Sequence, residues 1–63
     1  MNPEPLHSIL RIKQVGAVTG LARSTIYHYV HLGKFPKPRK LGERAVGWLS
    51  GDVYRWVAER EVA

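Results

Sequence analysis

Apolar residues recur at helical spacing near the start of this chain. Ile12, Val15 and Val18 lie three residues apart. Because a helical turn takes about 3.6 residues, this spacing predicts a short amphipathic helix of about two turns that starts near Leu10. Gly16 costs such a helix roughly 1 kcal/mol relative to alanine, so we expect a neighbouring helix to pass closely over it.

A second helix is predicted directly after the first. Gly20 stops the first helix, because glycine accepts a positive φ at little steric cost. The hydroxyl of Ser24 or Thr25 is expected to cap the second helix, which begins at Arg23 and ends near Leu32. Two helices joined by a short glycine-containing turn form a helix-turn-helix.

The second helix has two chemically opposite faces. At about 100° per residue, Ile26, Tyr29 and Val30 form one stripe that is expected to pack in the core. In a small basic protein, a polar face after a glycine turn is typical of a helix that enters the DNA major groove. The residues gathered on the polar side are Arg23, Ser24, Tyr27, His28 and His31.

An extended segment and a β-hairpin are predicted after Gly33, which ends the second helix. Pro36 and Pro38 impose an extended backbone. Two short strands, in residues 39–41 and 45–48, then flank a turn. Such a hairpin is called a wing, and its cations can reach the sugar-phosphate backbone or the minor groove, although side-chain alternation turns some of them away from the DNA. The candidate contacts here are Lys37, Arg39, Lys40 and Arg44.

A third helix is predicted over residues 51–60, with Ser50 as its cap. Its apolar stripe is expected to close the core; a surface tryptophan pair that anchors a protein partner is the alternative. The stripe consists of Leu49, Val53, Trp56 and Val57, with Trp48 just before it. Residues 1–8 contain two prolines and no periodicity, so we expect a flexible arm before one domain in residues 9–63.

The charge balance points to a polyanionic partner. Ten Lys and Arg residues against five Asp and Glu residues give a net charge of +5 in 63 residues. A merely soluble basic surface is the alternative, but half of the cations fall within residues 34–44. The chain has no cysteine, no long apolar run and no signal-peptide pattern. These features predict a cytoplasmic protein without membrane contact.

Enzymatic and metal chemistry find little support in the sequence. Ser24 and His28 are one turn apart but have no nearby acid that would orient the imidazole. His28 and His31 lack a third metal ligand, and the glycines form no phosphate-binding motif. A domain this short also offers no deep catalytic cavity. We therefore expect no enzyme activity, no metal and no cofactor.

Double-stranded DNA is the partner that these residue types suit best. Arg23 is expected to donate two hydrogen bonds to a guanine, and Ser24 and Thr25 to bind bases or phosphates. Tyr27 and His28 are expected to reach phosphates. Because so small a domain has limited contact area, self-association or cooperative binding on repeated sites is also expected.

The chain resembles the AlpA-type phage regulatory proteins over about residues 9 to 60. The resemblance is carried by Ile12-Lys13-Gln14-Val15, Thr19 to Tyr27, Gly33-Lys34-Phe35-Pro36-Lys37-Pro38, Leu41-Gly42, Arg44 to Trp48, and Trp56-Val57. The Phe-Pro-Lys-Pro and Val-Gly-Trp segments are its most specific parts. Gly16 departs from the pattern, since many relatives have a helix former there.

This resemblance implies a MerR-like winged helix-turn-helix, mainly α with a small β-hairpin wing, without the long dimerisation helix of full MerR proteins. It implies sequence-specific DNA binding and regulation of nearby genes in a prophage or mobile element. Some relatives act as excisionases, so an excisionase that bends attachment-site DNA is the alternative function. A protein-interaction module that uses Trp48 and Trp56 is an alternative of another class.

Overall fold

Residues 8–63 are described by a computed structural model, which contains three helices and a three-stranded antiparallel sheet in this part of the chain. This architecture confirms the predicted mainly helical fold with a hairpin wing. The elements in chain order are β1 (Ile9–Leu10), α1 (Ile12–Thr19), α2 (Arg23–His31), β2 (Arg39–Lys40), β3 (Val46–Leu49) and α3 (Ser50–Ala58).

The turn between α1 and α2 is fixed by Gly20 and Thr19. Gly20 has a φ of 76°, the left-handed conformation that favours glycine, and its N–H donates to the Gly16 carbonyl at 2.8 Å. The Thr19 hydroxyl donates to the Val15 carbonyl at 2.8 Å and accepts the Leu21 N–H at 3.2 Å. These bonds hold the two helices in a helix-turn-helix, as predicted.

The close approach at Gly16 comes from the turn and not from a neighbouring helix. A Cβ at this position would lie 3.3 Å from the Leu21 carbonyl oxygen. The expected helix contact was therefore wrong, because the chain folds back on itself immediately after Gly20.

Neither of the predicted helix caps forms. The N-cap of α2 is Ala22, without a side-chain hydrogen bond, and Ser24 and Thr25 lie inside the helix. The N-cap of α3 is Leu49, and Ser50 is the first helical residue. The assignment of Ser50 as a cap was wrong because the strand β3 runs directly into α3. Leu49, the last residue of the strand, therefore takes the N-cap position.

Ser50 instead connects the beginning of the described chain to α3. Its N–H donates to the Ser8 carbonyl at 2.8 Å, and its hydroxyl accepts the Ser8 N–H at 3.2 Å. Next to this pair, β1 adds an unpredicted third strand to the hairpin, with Ile9 opposite Leu49. Residues 1–7 of the predicted arm lie outside the described residues. Ser8, the last residue of that arm, is hydrogen-bonded to Ser50.

Among the described residues, five apolar side chains form the core where the helices and the sheet meet. The predicted stripe of α3 contributes Val53, whereas Trp56 is half-buried and Val57 is 36% exposed. Tyr29 and Val30 pack against the core, as predicted. Phe35 was not predicted in the core. The buried apolar residues are Val15, Ile26, Phe35, Trp48 and Val53.

Both tryptophans hold the extended segment of residues 34–38. The indole N–H of Trp48 donates to the Pro36 carbonyl, and that of Trp56 donates to the Lys34 carbonyl, each at 2.7 Å. Phe35 lies between them, with its ring centroid 4.8 Å from that of Trp56 and 6.3 Å from that of Trp48. The segment that leads from α2 to the wing is therefore fixed at Lys34 and at Pro36.

Candidate nucleic-acid interface

The polar side of α2 is exposed along its whole length. Arg23, Ser24, His28 and His31 are all exposed, whereas Ile26 on the opposite side is fully buried. The core therefore anchors one side of the helix and leaves the other free for a partner.

Two predicted contacts on α2 are placed differently from the rest. Thr25 is half-buried, so its hydroxyl is less accessible than that of Ser24. Tyr27 is 39% exposed, and its ring centroid lies 6.0 Å from that of Trp48. Tyr27 therefore lies where the polar side of α2 meets the sheet.

The sheet register separates the two cations of β2. Lys40 is opposite Val46, two residues from Trp48 on β3, so these three side chains share a face of the sheet. Arg39 is opposite Gly47 and belongs to the other face. Since Tyr27 contacts the Trp48 face, Lys40 lies on the α2 side of the sheet and Arg39 on the far side.

The far face of the sheet is apolar around Gly47. A Cβ on Gly47 would collide with Cγ2 of Ile9 and would lie 3.1 Å from Cδ1 of Leu41. Ile9 is 37% exposed and Leu41 43% exposed. Exposed apolar side chains and the cation Arg39 therefore share this face, whereas Lys40 shares the other face with Val46 and Trp48.

The remaining predicted wing contacts are also exposed. Lys37 follows Pro36 in the extended segment, and Arg44 lies in the loop between β2 and β3. Lys13 was not among the predicted contacts, although it is exposed on α1 and lines a crevice together with Arg23 of α2.

Positive charge is concentrated in one stretch of the sequence. No Asp or Glu occurs between Glu4 and Glu43. Because nearby carboxylates do not offset them along the chain, the cations of this stretch favour an anionic partner. They are Arg11, Lys13, Arg23, Lys34, Lys37, Arg39 and Lys40. Lys13 could have been identified from this signal.

The alternative interfaces are less well supported by the described residues. Trp48 is fully buried, which confirms core packing and removes it from any partner surface. Within residues 8–63, no group of three or more His, Cys, Asp or Glu side chains is arranged to hold a metal ion. No helix in this range has the length and apolar character needed to cross a membrane.

Comparisons with known proteins identify a family. Residues 8–61 match the family described as Prophage CP4-57 regulatory protein (AlpA). The chain is 36% identical over 66 residues to the DNA-binding transcriptional activator AlpA of Escherichia coli K12, covering 95% of this chain and 94% of that protein. It is 43% identical over 51 residues to the uncharacterized protein ORF88 of Enterobacteria phage P4, covering 81% of this chain and 58% of that protein.

No solved structure matches the chain. The family match covers nearly all of the described residues, including every helix and strand. The chain therefore belongs to the AlpA family of prophage regulatory proteins.

Proposed function

We propose that this chain is a sequence-specific, double-stranded DNA-binding regulator of transcription from a prophage or related mobile element. The observation that carries the proposal is that the polar side of α2 is exposed. This helix lies within residues 5–42, a stretch of the chain that contains no acidic residue. The similar Escherichia coli protein is named as a DNA-binding transcriptional activator. The chain would act by binding alone, without a cofactor or a catalytic step.

In the proposed complex, α2 lies in the major groove and the wing contacts the backbone beside it. Ser24, His28 and His31 project from the exposed side of α2 toward the bases and phosphates. Tyr27 extends this surface to the sheet, where Lys40 continues it. Lys37 and Arg44 are proposed to bind phosphates farther along the duplex.

The proposal is tested by selection of genomic fragments with the purified chain. We expect enrichment of a common sequence near promoters, and protection of that sequence in footprints. Protection in arrays at recombination sites, with strong bending, would instead indicate an excisionase. A chain that enriches no sequence would contradict both functions.

A variant of the α2 surface provides the first quantitative prediction. Ser24→Ala/His28→Ala removes two polar groups without touching the core, so we expect a fold that is unchanged by circular dichroism. Loss of base contacts should reduce the preference for the selected sequence over a scrambled duplex by about tenfold or more. Equal weakening on both duplexes would show that these side chains do not read bases.

The two cations of β2 provide a matched pair for testing the wing. Lys40→Ala should reduce the magnitude of the negative slope of log K against log[salt] by about 0.9, since it removes a phosphate contact. Arg39→Ala should leave the slope nearly unchanged, because Arg39 is on the far face of the sheet. Equal losses for the two variants would contradict this assignment.

More than one copy of the chain is also proposed to bind the target. A single domain of this size has limited contact area with a duplex. Titration of a selected fragment, followed by sedimentation, measures the number of bound copies. Binding of one copy to the whole protected region would contradict this part of the proposal.

A further inference from the structure

A crevice between α1 and the start of α2 contains two cations from different helices. It has a volume of about 300 Å³ and is lined by Ile12, Lys13, Gly16 and Arg23. Lys13 and Arg23 are exposed, whereas Ile12 and Gly16 are half-buried and form an apolar floor. The fold therefore places two basic side chains, ten residues apart in the sequence, on the lining of one crevice.

The position of Arg23 on α2 separates it from the other polar residues. At about 100° per residue, Ser24 and His31 project from the middle of the exposed side. Arg23 projects from its edge, in nearly the same direction as the half-buried Val30 two turns later. Arg23 thus lies at the junction with α1, where it lines the crevice, and the residues that face straight outward are Ser24, His28 and His31.

The crevice also lacks any acidic partner from its own helices. Neither α1 nor α2 contains Asp or Glu. A duplex backbone alternates an anionic phosphate with a less polar sugar, and the crevice offers two cations beside an apolar floor. Both cations can approach a phosphate as point charges, and Arg23 can also donate two parallel hydrogen bonds to it.

We propose that Lys13 and Arg23 together bind a phosphodiester group of the DNA backbone. This inference rests on the proposed function and deepens it. Arg23 then positions α2 on the duplex and does not read a guanine, so sequence preference comes from the residues in the middle of the α2 surface.

The test compares affinities for two duplexes over a range of salt concentrations. One duplex is selected by the wild-type chain from a random pool, and the other is a scrambled sequence of the same composition. Lys13→Ala and Arg23→Ala should each weaken binding to both duplexes by the same factor and reduce the magnitude of the negative salt slope by about 0.9. Arg23→Lys should keep both the slope and the sequence preference, because a phosphate accepts either cation.

Arg55→Ala serves as the control. Arg55 is an exposed cation on α3 that lines a separate crevice with Asp52 and Glu59, so its removal should leave the slope unchanged. Circular dichroism verifies that each variant is folded.

Three results would overturn the inference while the proposed function stands. One is a salt slope of the Lys13→Ala variant that equals the slope of the wild type. Another is a loss of sequence preference in Arg23→Lys, since a bidentate guanine contact requires the guanidinium fork. The third is an equal slope change in Arg55→Ala, which would indicate a general charge effect. A wild-type chain that selects no duplex from the random pool would overturn the proposed function as well.

Discussion

Trp48→Ala is expected to remove much of the stability of the domain. Trp48 is fully buried and is the largest of the fully buried side chains. Removing such a ring costs about 3 to 5 kcal/mol, through lost burial and the cavity left behind. A domain of this length has a total stability of only about 3 to 9 kcal/mol, so one substitution consumes much of it. The variant should also lose the bond to the Pro36 carbonyl.

Thermal denaturation followed by circular dichroism measures this effect. We expect the midpoint to fall by about 15 °C or more, or the cooperative transition to disappear. Trp48→Phe is the control, because it keeps an aromatic ring in the core and removes the N–H donor. Its midpoint should lie between those of the wild type and Trp48→Ala. A Trp48→Ala transition close to that of the wild type would show that the core does not depend on this ring.

Phe35→Ala is expected to produce a loss of similar size, about 3 to 5 kcal/mol. Phe35 is only 4% exposed and its ring meets both Trp48 and Trp56 edge-on. Its removal opens the space between the two indoles, so the variant should expose Trp56 to water as well as lose stability.

Tryptophan fluorescence distinguishes this outcome from a general loss of stability. Under conditions where Phe35→Ala is still folded, its emission should shift to longer wavelength because Trp56 becomes more exposed. Phe35→Leu is the matched control, since it fills much of the same volume and should retain most of the stability and the emission of the wild type. A folded Phe35→Ala chain with unchanged emission would contradict the packing described for this segment.

The periodic parts of the chain were predictable from its sequence. The spacing of Ile12, Val15 and Val18 and the break at Gly20 predicted the helix-turn-helix, because helical period and positive φ are local properties. The hairpin also followed from local signals, the glycine-containing turn between two short extended runs. These are the elements for which neighbouring residues determine the backbone.

Features that depend on distant residues were not predictable in this way. The burial of Phe35 depends on two indoles from β3 and α3, and β1 depends on pairing with a strand nearly forty residues later. The hydroxyl of Ser50 has a cap-like sequence context, but it bonds Ser8 because β1 brings that residue next to it.

The candidate interface shows the same division between local and distant determinants. The polar residues of α2 could be identified from the helical period alone. The separation of Lys40 from Arg39 required the register of β2 against β3, and the pairing of Lys13 with Arg23 required the crossing of two helices. The positions of the α2 contacts relative to bound DNA stay a prediction.

The two indole-to-carbonyl bonds have a consequence for how the domain melts. They join one peptide segment to β3 and to α3 at the same time, so none of these parts can come loose without disturbing the others. Heating should therefore produce a single all-or-none transition, with the same midpoint for helical and aromatic signals. A wing excised from its helices would have no stable shape of its own.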